Sequence, residues 1–161
     1  MYKLDPSIKT VWTINFILKT FFYTVVLFVA DFMFVKGSYG DYEFPTGTAS
    51  FIILIIGIIF SIIFPQLAYK YWSFDVRENE IFLVRGIFTR VKTLAPYSKI
   101  QHIDLQQSIL DRMYHIAKLV LYTAGTRGAD VVIPGLPLEY AEDLRDRLKD
   151  VTSVESLWAE S

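Results

Sequence analysis

Residues 51–64 read FIILIIGIIFSIIF, and they lie inside a longer stretch, 44–69, that carries no charged residue. About 20 mostly apolar residues in a helix cross a hydrocarbon core roughly 30 Å thick. Lipid offers no partner to backbone N–H and C=O groups, so a segment of this kind has to be a helix that bonds to itself. The many isoleucines favour a strand in water, but a uniform apolar run of this length overrules that preference. The alternative is the core helix of a soluble protein. The predicted span covers about 48–68.

Outward from this run, a second apolar and aromatic segment precedes it over about 11–35, interrupted by Asn15, Lys19 and Asp31. Residues 20–30 are free of charge. The two charges are about 18 Å apart along a helix, near opposite ends. Lys19 can extend its long stem back to an interface. Asp31 is short and sits about one turn inside the other end. A cleavable signal is the rival reading, but the run is too long and no small-x-small cleavage pattern follows it. A polar connection over 36–46, with Gly37, Gly40 and Pro45, makes the two spans a helical hairpin over 1–69.

Lysine and arginine near the ends of the spans set orientation. Lys3, Lys9 and Lys19 mark the first end, Lys70 and Arg77 the last. The connection has only Lys36 against Asp41 and Glu43. The expectation is a two-span protein of the cell membrane with both termini in the cytoplasm. The chain contains no cysteine, so it offers no disulfide framework and no thiol chemistry. Its formal net charge of −1 points away from nucleic acid as a partner.

The remainder, 70–152, has the size of one small domain, followed by an acidic tail at 153–161 that is expected to fray. It opens on aromatic residues suited to a membrane interface, Tyr69, Tyr71 and Trp72. Alternation of Trp72, Phe74 and Val76 with polar residues predicts a first strand. Glu78-Asn79 is a turn signal. Strands are expected over 80–85, 87–94 and 99–106, the last with Gln101, Ile103 and Leu105 on one face. A short helical turn is expected over 108–114. Strands over 118–123 and 130–133 follow, with a turn at 125–128 between them. Pro134-Gly135 and Pro137 then punctuate, and Leu138, Ala141, Leu144, Leu148 and Val151 recur at helical spacing. Pro137 suits the first turn of that helix. The fold class expected is two transmembrane helices, then an antiparallel, strongly bent sheet closed by one C-terminal amphipathic helix.

That layout is the one found in pleckstrin-homology (PH) domains. The motifs agree: W-x-F-x-V at 72–76, E-I-x-L-x-x-G-I-F-T-R at 80–90, I-Q-H-I-D-L-x-Q-S-I-L-D-R at 100–112, L-V-L-Y-T-A-G at 119–125 and I-P-G-L at 133–136. With two preceding spans, the sequence resembles the bacterial PH-domain membrane proteins of the YdbS type, from Trp72 to about Leu148. The resemblance implies a bacterial inner-membrane protein with a PH-like domain in the cytoplasm. It implies no reaction and no cofactor.

Candidate sites follow from residue types. His102 and Asp104 share a strand face, and Asp111 and His115 are four apart, a spacing that brings two metal ligands together on a helix. With two histidines, no cysteine and no evident third ligand, a surface Asp–His pair is the plainer account. Gln101, Gln106, Gln107, Ser108 and Arg112 are a dense polar group. They read either as a subunit contact or as side-chain bonds that fix an irregular strand-to-helix corner. Ser108 lacks the surroundings of a catalytic serine. Over 70–99 six basic residues face three acidic ones, and over 100–161 six face ten. A basic first half beside a bilayer suits anionic headgroups and nominates Lys70, Trp72, Arg90 and Lys92 as membrane-surface contacts. A solvated edge is the bland reading. The first hairpin, 75–80, is acidic, which argues against specific phosphoinositide capture. Asp31, as an ionisable residue in a span, joins Gln101, Gln107 and Arg112 as a candidate subunit contact.

Three functions are consistent with this pattern. One is a non-enzymatic PH-like interaction module on a membrane anchor, assembling with itself or a related PH-domain membrane protein. Another is an accessory subunit of an envelope-stress or export system. The last is a membrane-surface enzyme, for which no constellation of nucleophile, base or metal ligands is evident.

Overall fold

The computed structural model describes residues 2–35, 47–123 and 131–159. The expected connection at 36–46 and turn at 125–128 lie outside the described residues. The chain divides into two compact units, Trp12–Gln66 and a second made of Met1–Val11 with Leu67–Ser161.

The first unit is built from α1 (Ser7–Ala30), continued by a π-helical turn Asp31–Val35, and α2 (Thr48–Lys70). Both helices are long and apolar enough to cross a membrane. A core helix of a soluble protein would hide its apolar face, whereas here Leu18, Phe21, Phe22, Ile56 and Ile59 all face outward. Helices in lipid pack through small residues and side-chain hydrogen bonds, and this pair does the same. Thr20 Oγ1 and Ser61 Oγ are 3.1 Å apart, and Ser61 Oγ donates to the Gly57 carbonyl at 2.7 Å. A side chain at Gly57 would collide with the Thr20 methyl group. Phe16 and Phe64 meet edge to face at 5.4 Å.

The second unit holds two three-stranded antiparallel sheets rather than one strongly bent sheet. One has the order β1 (Ser73–Val76), β2 (Glu80–Arg85), β3 (Val91–Pro96). The other has β4 (Ile100–Gln106), β5 (Ile116–Thr123), β6 (Val131–Pro137). A 3-10 turn, Tyr97–Lys99, joins them. In the first sheet Ser73 lies opposite Val84 and Val84 opposite Lys92. A short helix α3 (Ile109–Met113) follows β4, and α4 (Leu138–Ala159) follows β6. The face of α4 carrying Ala141, Leu144 and Leu148 is buried against the second sheet and the 3-10 turn, as helical spacing predicts. Val151 is 39% exposed and does not belong to that face. The helix also runs to Ala159, through residues expected to fray.

Several strand limits differ from the sequence reading, and a bulge interrupts one strand. β3 begins at Val91, because Gly86 adopts φ +112 and starts a turn. A side chain there would run into the Thr89 carbonyl, so only glycine fits. A bulge between Ile100 and His102 breaks the alternation of β4, so that Ile100 and Ile103 are both buried while Gln101 faces solvent. β5 begins two residues earlier than expected. β6 continues through Pro134-Gly135 to Pro137 across a second irregularity, so Pro137 ends a strand instead of opening the helix.

The N-terminal residues are the largest departure. Residues 1–69 were expected to form the hairpin alone, yet the first eleven belong to the β-rich unit. Tyr2 pairs with Phe74 as an isolated antiparallel bridge, and its ring lies 5.9 Å from the Phe74 ring. Asp5 donates its N–H to the Gly135 carbonyl at 2.7 Å, and Asp5 Oδ1 accepts the Ser7 N–H at 2.8 Å as α1 begins. Leu4, Ile8 and Val11 are buried alongside Phe74, Ile81, Leu119 and Ile133. A Cβ at Gly135, where φ is +62, would fall 2.6 Å from Ile8 Cβ.

Candidate functional site

The register of the first sheet sorts its two turns to opposite ends. The chain leaves α2 at Lys70 and enters β1 at Ser73. Ser73, Val84 and Lys92 lie side by side across the sheet, so the β2–β3 turn over 86–90 projects from the end at which β1 starts. The sequence-predicted membrane contacts therefore gather at one end: Arg90 and Lys92 on the turn and β3, and Lys70 and Trp72 at the entry to β1. Lys70, Arg90 and Lys92 are exposed, and Trp72 is half-buried. Arg85 adds a further exposed cation there.

The β1–β2 turn lies at the opposite end. Arg77 Nη1 binds Glu80 Oε1 at 2.7 Å and its Nε lies 3.8 Å from Asp75 Oδ2. Its guanidinium also sits 4.7 Å above the Phe82 ring. A cation satisfied in this way has little left for a phosphate. A cleft of about 320 Å³ adjoins this turn, lined by Tyr2, Arg77, Tyr97, Tyr140, Asp143 and Arg147 among others. Its second cation is also paired, with Arg147 Nη2 2.8 Å from Asp143 Oδ2. Tyr97 Oη donates to the Arg77 carbonyl at 2.6 Å. Burial first, and then the nearby Glu80 carboxylate, raises the Tyr97 phenol above its usual pKa. Burial also leads in raising Tyr140, with Tyr2 next.

The polar stretch 101–112 is spread out by the strand that carries it. Gln101 is opposite the Thr123 end of β5 and Gln106 is opposite Lys118, about 17 Å away at strand rise. What the structure does bring together is a corner. Gln107 Nε2 donates to the Ile116 carbonyl at 2.9 Å. Ser108 N–H and Oγ–H both donate to Asp111 Oδ2, at 2.9 and 2.7 Å, while Asp111 N–H returns a bond to Ser108 Oγ at 3.2 Å. This reciprocal cap fixes the start of α3. Asp111 is fully buried, and Lys118 Nζ lies 3.6 Å from its Oδ2. Gln107 and Asp111 Oδ2 are thus occupied within the chain, whereas the buried Asp111 Oδ1 has no hydrogen-bond partner among the described residues. Gln101 and Arg112 are exposed, and beside Arg112 the short helix presents Ile109 and Met113, 80% and 69% exposed.

Asp111 and His115 do not share a helix face. α3 ends at Met113, and His115 stands at φ +52, in the left-handed region. His102 Nε2 instead contacts Asp104 Oδ1 at 2.7 Å on the surface of β4. Among the described residues no three His, Cys, Asp or Glu side chains are grouped to hold a metal ion. In the helical unit Asp31 Oδ2 accepts the Gly47 N–H at 2.8 Å, one residue ahead of α2. It thereby ties the end of one helix to the start of the other.

Two features escaped the sequence reading. Tyr69, expected only as an interfacial aromatic, donates its hydroxyl to the Leu4 carbonyl at 3.0 Å and places its ring 5.0 Å from Lys9 Nζ. It clasps the N-terminal segment. Phe88, at the tip of the β2–β3 turn, is 93% exposed. The unbroken apolar pair Ile87-Phe88 next to Gly86 is the signal that could have found it.

The chain matches the bacterial PH domain family over residues 16–152, most of its length. It is 31% identical over 109 residues to the UPF0699 transmembrane protein YdbS of Bacillus subtilis (strain 168), covering 68% of this chain and 67% of that protein. No solved structure matches. With its two apolar helices and its pair of antiparallel sheets, the chain is a YdbS-like membrane protein that belongs to the bacterial PH domain family.

Proposed function

We propose that this is a non-enzymatic, two-span protein that presents its PH-like domain at the cytoplasmic face of the membrane and assembles there with a second copy or a related PH-domain membrane protein. One observation carries the topology. The residues before the first span and those after the second are built into the same compact unit. Two segments that share a core lie in the same compartment, so the chain between them crosses the membrane an even number of times. The Lys/Arg bias then favours the cytoplasm. Reporter fusions at the C-terminus are expected to report the cytoplasm and fusions at residue 42 the outside. A periplasmic C-terminus overturns the orientation.

A binding role rather than a reaction is supported by what the polar groups do. The buried Asp111 and Tyr97, and Gln107 and Ser108 beside Asp111, each bond to the chain's own backbone or cap. The exposed surface at the corner is of a different kind: Ile109 and Met113 are four apart on α3 with Arg112 between them, an apolar pair beside a cation suited to a protein contact. We assign assembly to this patch, with Gln101 a separate exposed position. Asp31 and Gln107 contribute by holding the chain's own shape. Native mass spectrometry from mild detergent is expected to show a homo-oligomer or a co-purified PH-domain membrane protein. Changing Ile109 and Met113 to serine should abolish it. A monomer with no partner refutes the proposal, and a co-purified transport or stress-response complex favours the accessory-subunit reading.

A further inference from the structure

The β2–β3 turn is built to hold a large apolar side chain in the open. Gly86 takes a backbone conformation that strains other residues, and the Thr89 carbonyl closes over the place where its side chain would be. The turn carries Phe88 at its tip with the ring 93% exposed. Around it, residues 85–92 read RGIFTRVK, three cations and no carboxylate. Arg85, Arg90 and Lys92 are exposed, and Val91 adds a 43% exposed apolar side chain behind the tip.

A scattered surface phenylalanine is ordinary, but this one has a position. By register the turn projects from the sheet end at which the chain arrives from α2, with Lys70 three residues before the sheet begins. An aromatic ring ahead of a group of exposed cations, without an ion pair among the described residues, matches the chemistry of an anionic bilayer surface, where rings settle at the headgroup level and lysine or arginine meets phosphate. We infer that the 86–90 turn is a second membrane attachment: Phe88 enters the interface of the bilayer that holds the spans, while Arg85, Arg90 and Lys92 contact anionic headgroups. The acidic β1–β2 turn, at the far end of the same sheet, takes no part.

The inference rests on the reading that residues 12–66 span the membrane, which alkaline carbonate extraction tests separately. The chain has no cysteine, so Thr89→Cys in the full-length protein gives one site for a spin label beside Phe88. The labelled protein is placed in nanodiscs of phosphatidylcholine alone or with phosphatidylglycerol. Accessibility to oxygen and to a water-soluble nickel chelate is read by power saturation. In anionic discs the oxygen-to-nickel ratio should rise severalfold over its value in phosphatidylcholine. Phe88→Ser should return it to the aqueous value, and so should the joint change of Arg85, Arg90 and Lys92 to Gln. These side chains are exposed, so the thermal midpoint should not move. A label equally open to nickel in both discs overturns the inference, as does a ratio that ignores Phe88→Ser. Dipolar broadening between labels would place the tip against another copy and also overturn it.

Discussion

Ile8→Ala tests the docking of the N-terminal segment into a domain that begins some sixty residues later in the chain. Ile8 is fully buried and its Cβ, Cγ1 and Cδ1 all crowd Gly135. The change removes three buried carbons at about 0.8 kcal/mol each, and the rigid neighbours leave a cavity, so the full cost falls at roughly 2–5 kcal/mol. A domain of about 100 residues loses roughly 4–8 °C of midpoint per kcal/mol, so the β-rich unit should melt well over 8 °C earlier. Differential scanning fluorimetry of the full chain in detergent reads this. Ile17→Ala is the control, because Ile17 lies on the same helix but faces outward; it should leave the midpoint nearly unchanged. Equal shifts for the two variants would show that Ile8 is merely part of a span, and would refute the shared core. The same geometry explains why a fragment starting at residue 71 is a poor stand-in for the domain: it lacks the chain that covers Phe74 and Gly135.

Leu148→Ala, at a buried position on α4, should cost about 2–5 kcal/mol, while Glu142→Ala, on its exposed face, should stay within about 0.5 kcal/mol; chemical denaturation of the two variants separates them. Tyr97 links stability to alkaline pH. Its folded pKa is raised by burial and by Glu80, so its contribution is whole below the unfolded value of about 10 and declines as pH climbs through the raised folded value. Tyr97→Phe should remove that alkaline dependence and, by leaving the Arg77 carbonyl without its donor, cost about 1–3 kcal/mol at neutral pH.

The two long apolar helices, the strand-rich domain and the buried face of α4 were legible because each rests on a local pattern: uninterrupted apolarity, alternation, or helical spacing. The N-terminal docking was not. Val11 reads as the start of a span and Leu4 and Ile8 as part of the tail before it, because a core-facing and a lipid-facing apolar residue look alike in sequence, and Gly135, which Ile8 meets, is over a hundred positions away. Bulges were equally silent. The break at Gln101 in β4 changes which residues face inward without altering composition. The corner at 107–112 was half legible: its hydrogen-bonding residue types were evident, but an extended strand carries Gln101 away from it. The Asp111–His115 spacing misled because it presumes a helix that ends at Met113. Phe88 was passed over because the expected strand over 87–94 included it, whereas β3 begins only at Val91.

The shared core of the first and last segments also imposes an order on biosynthesis. Asp5 and Ile8 are made early but meet Gly135 only after both apolar helices and nearly the whole domain have been translated. In the two-span topology proposed above, folding of the domain is completed only after both helices have entered the bilayer. In that topology a molecule whose N-terminus alone lay on the wrong side would have Tyr2, Asp5 and Ile8 stranded across the membrane from Phe74 and Gly135. Its domain would keep an open hydrophobic gap, so the fold depends on both ends of the helix pair lying on one side of the membrane.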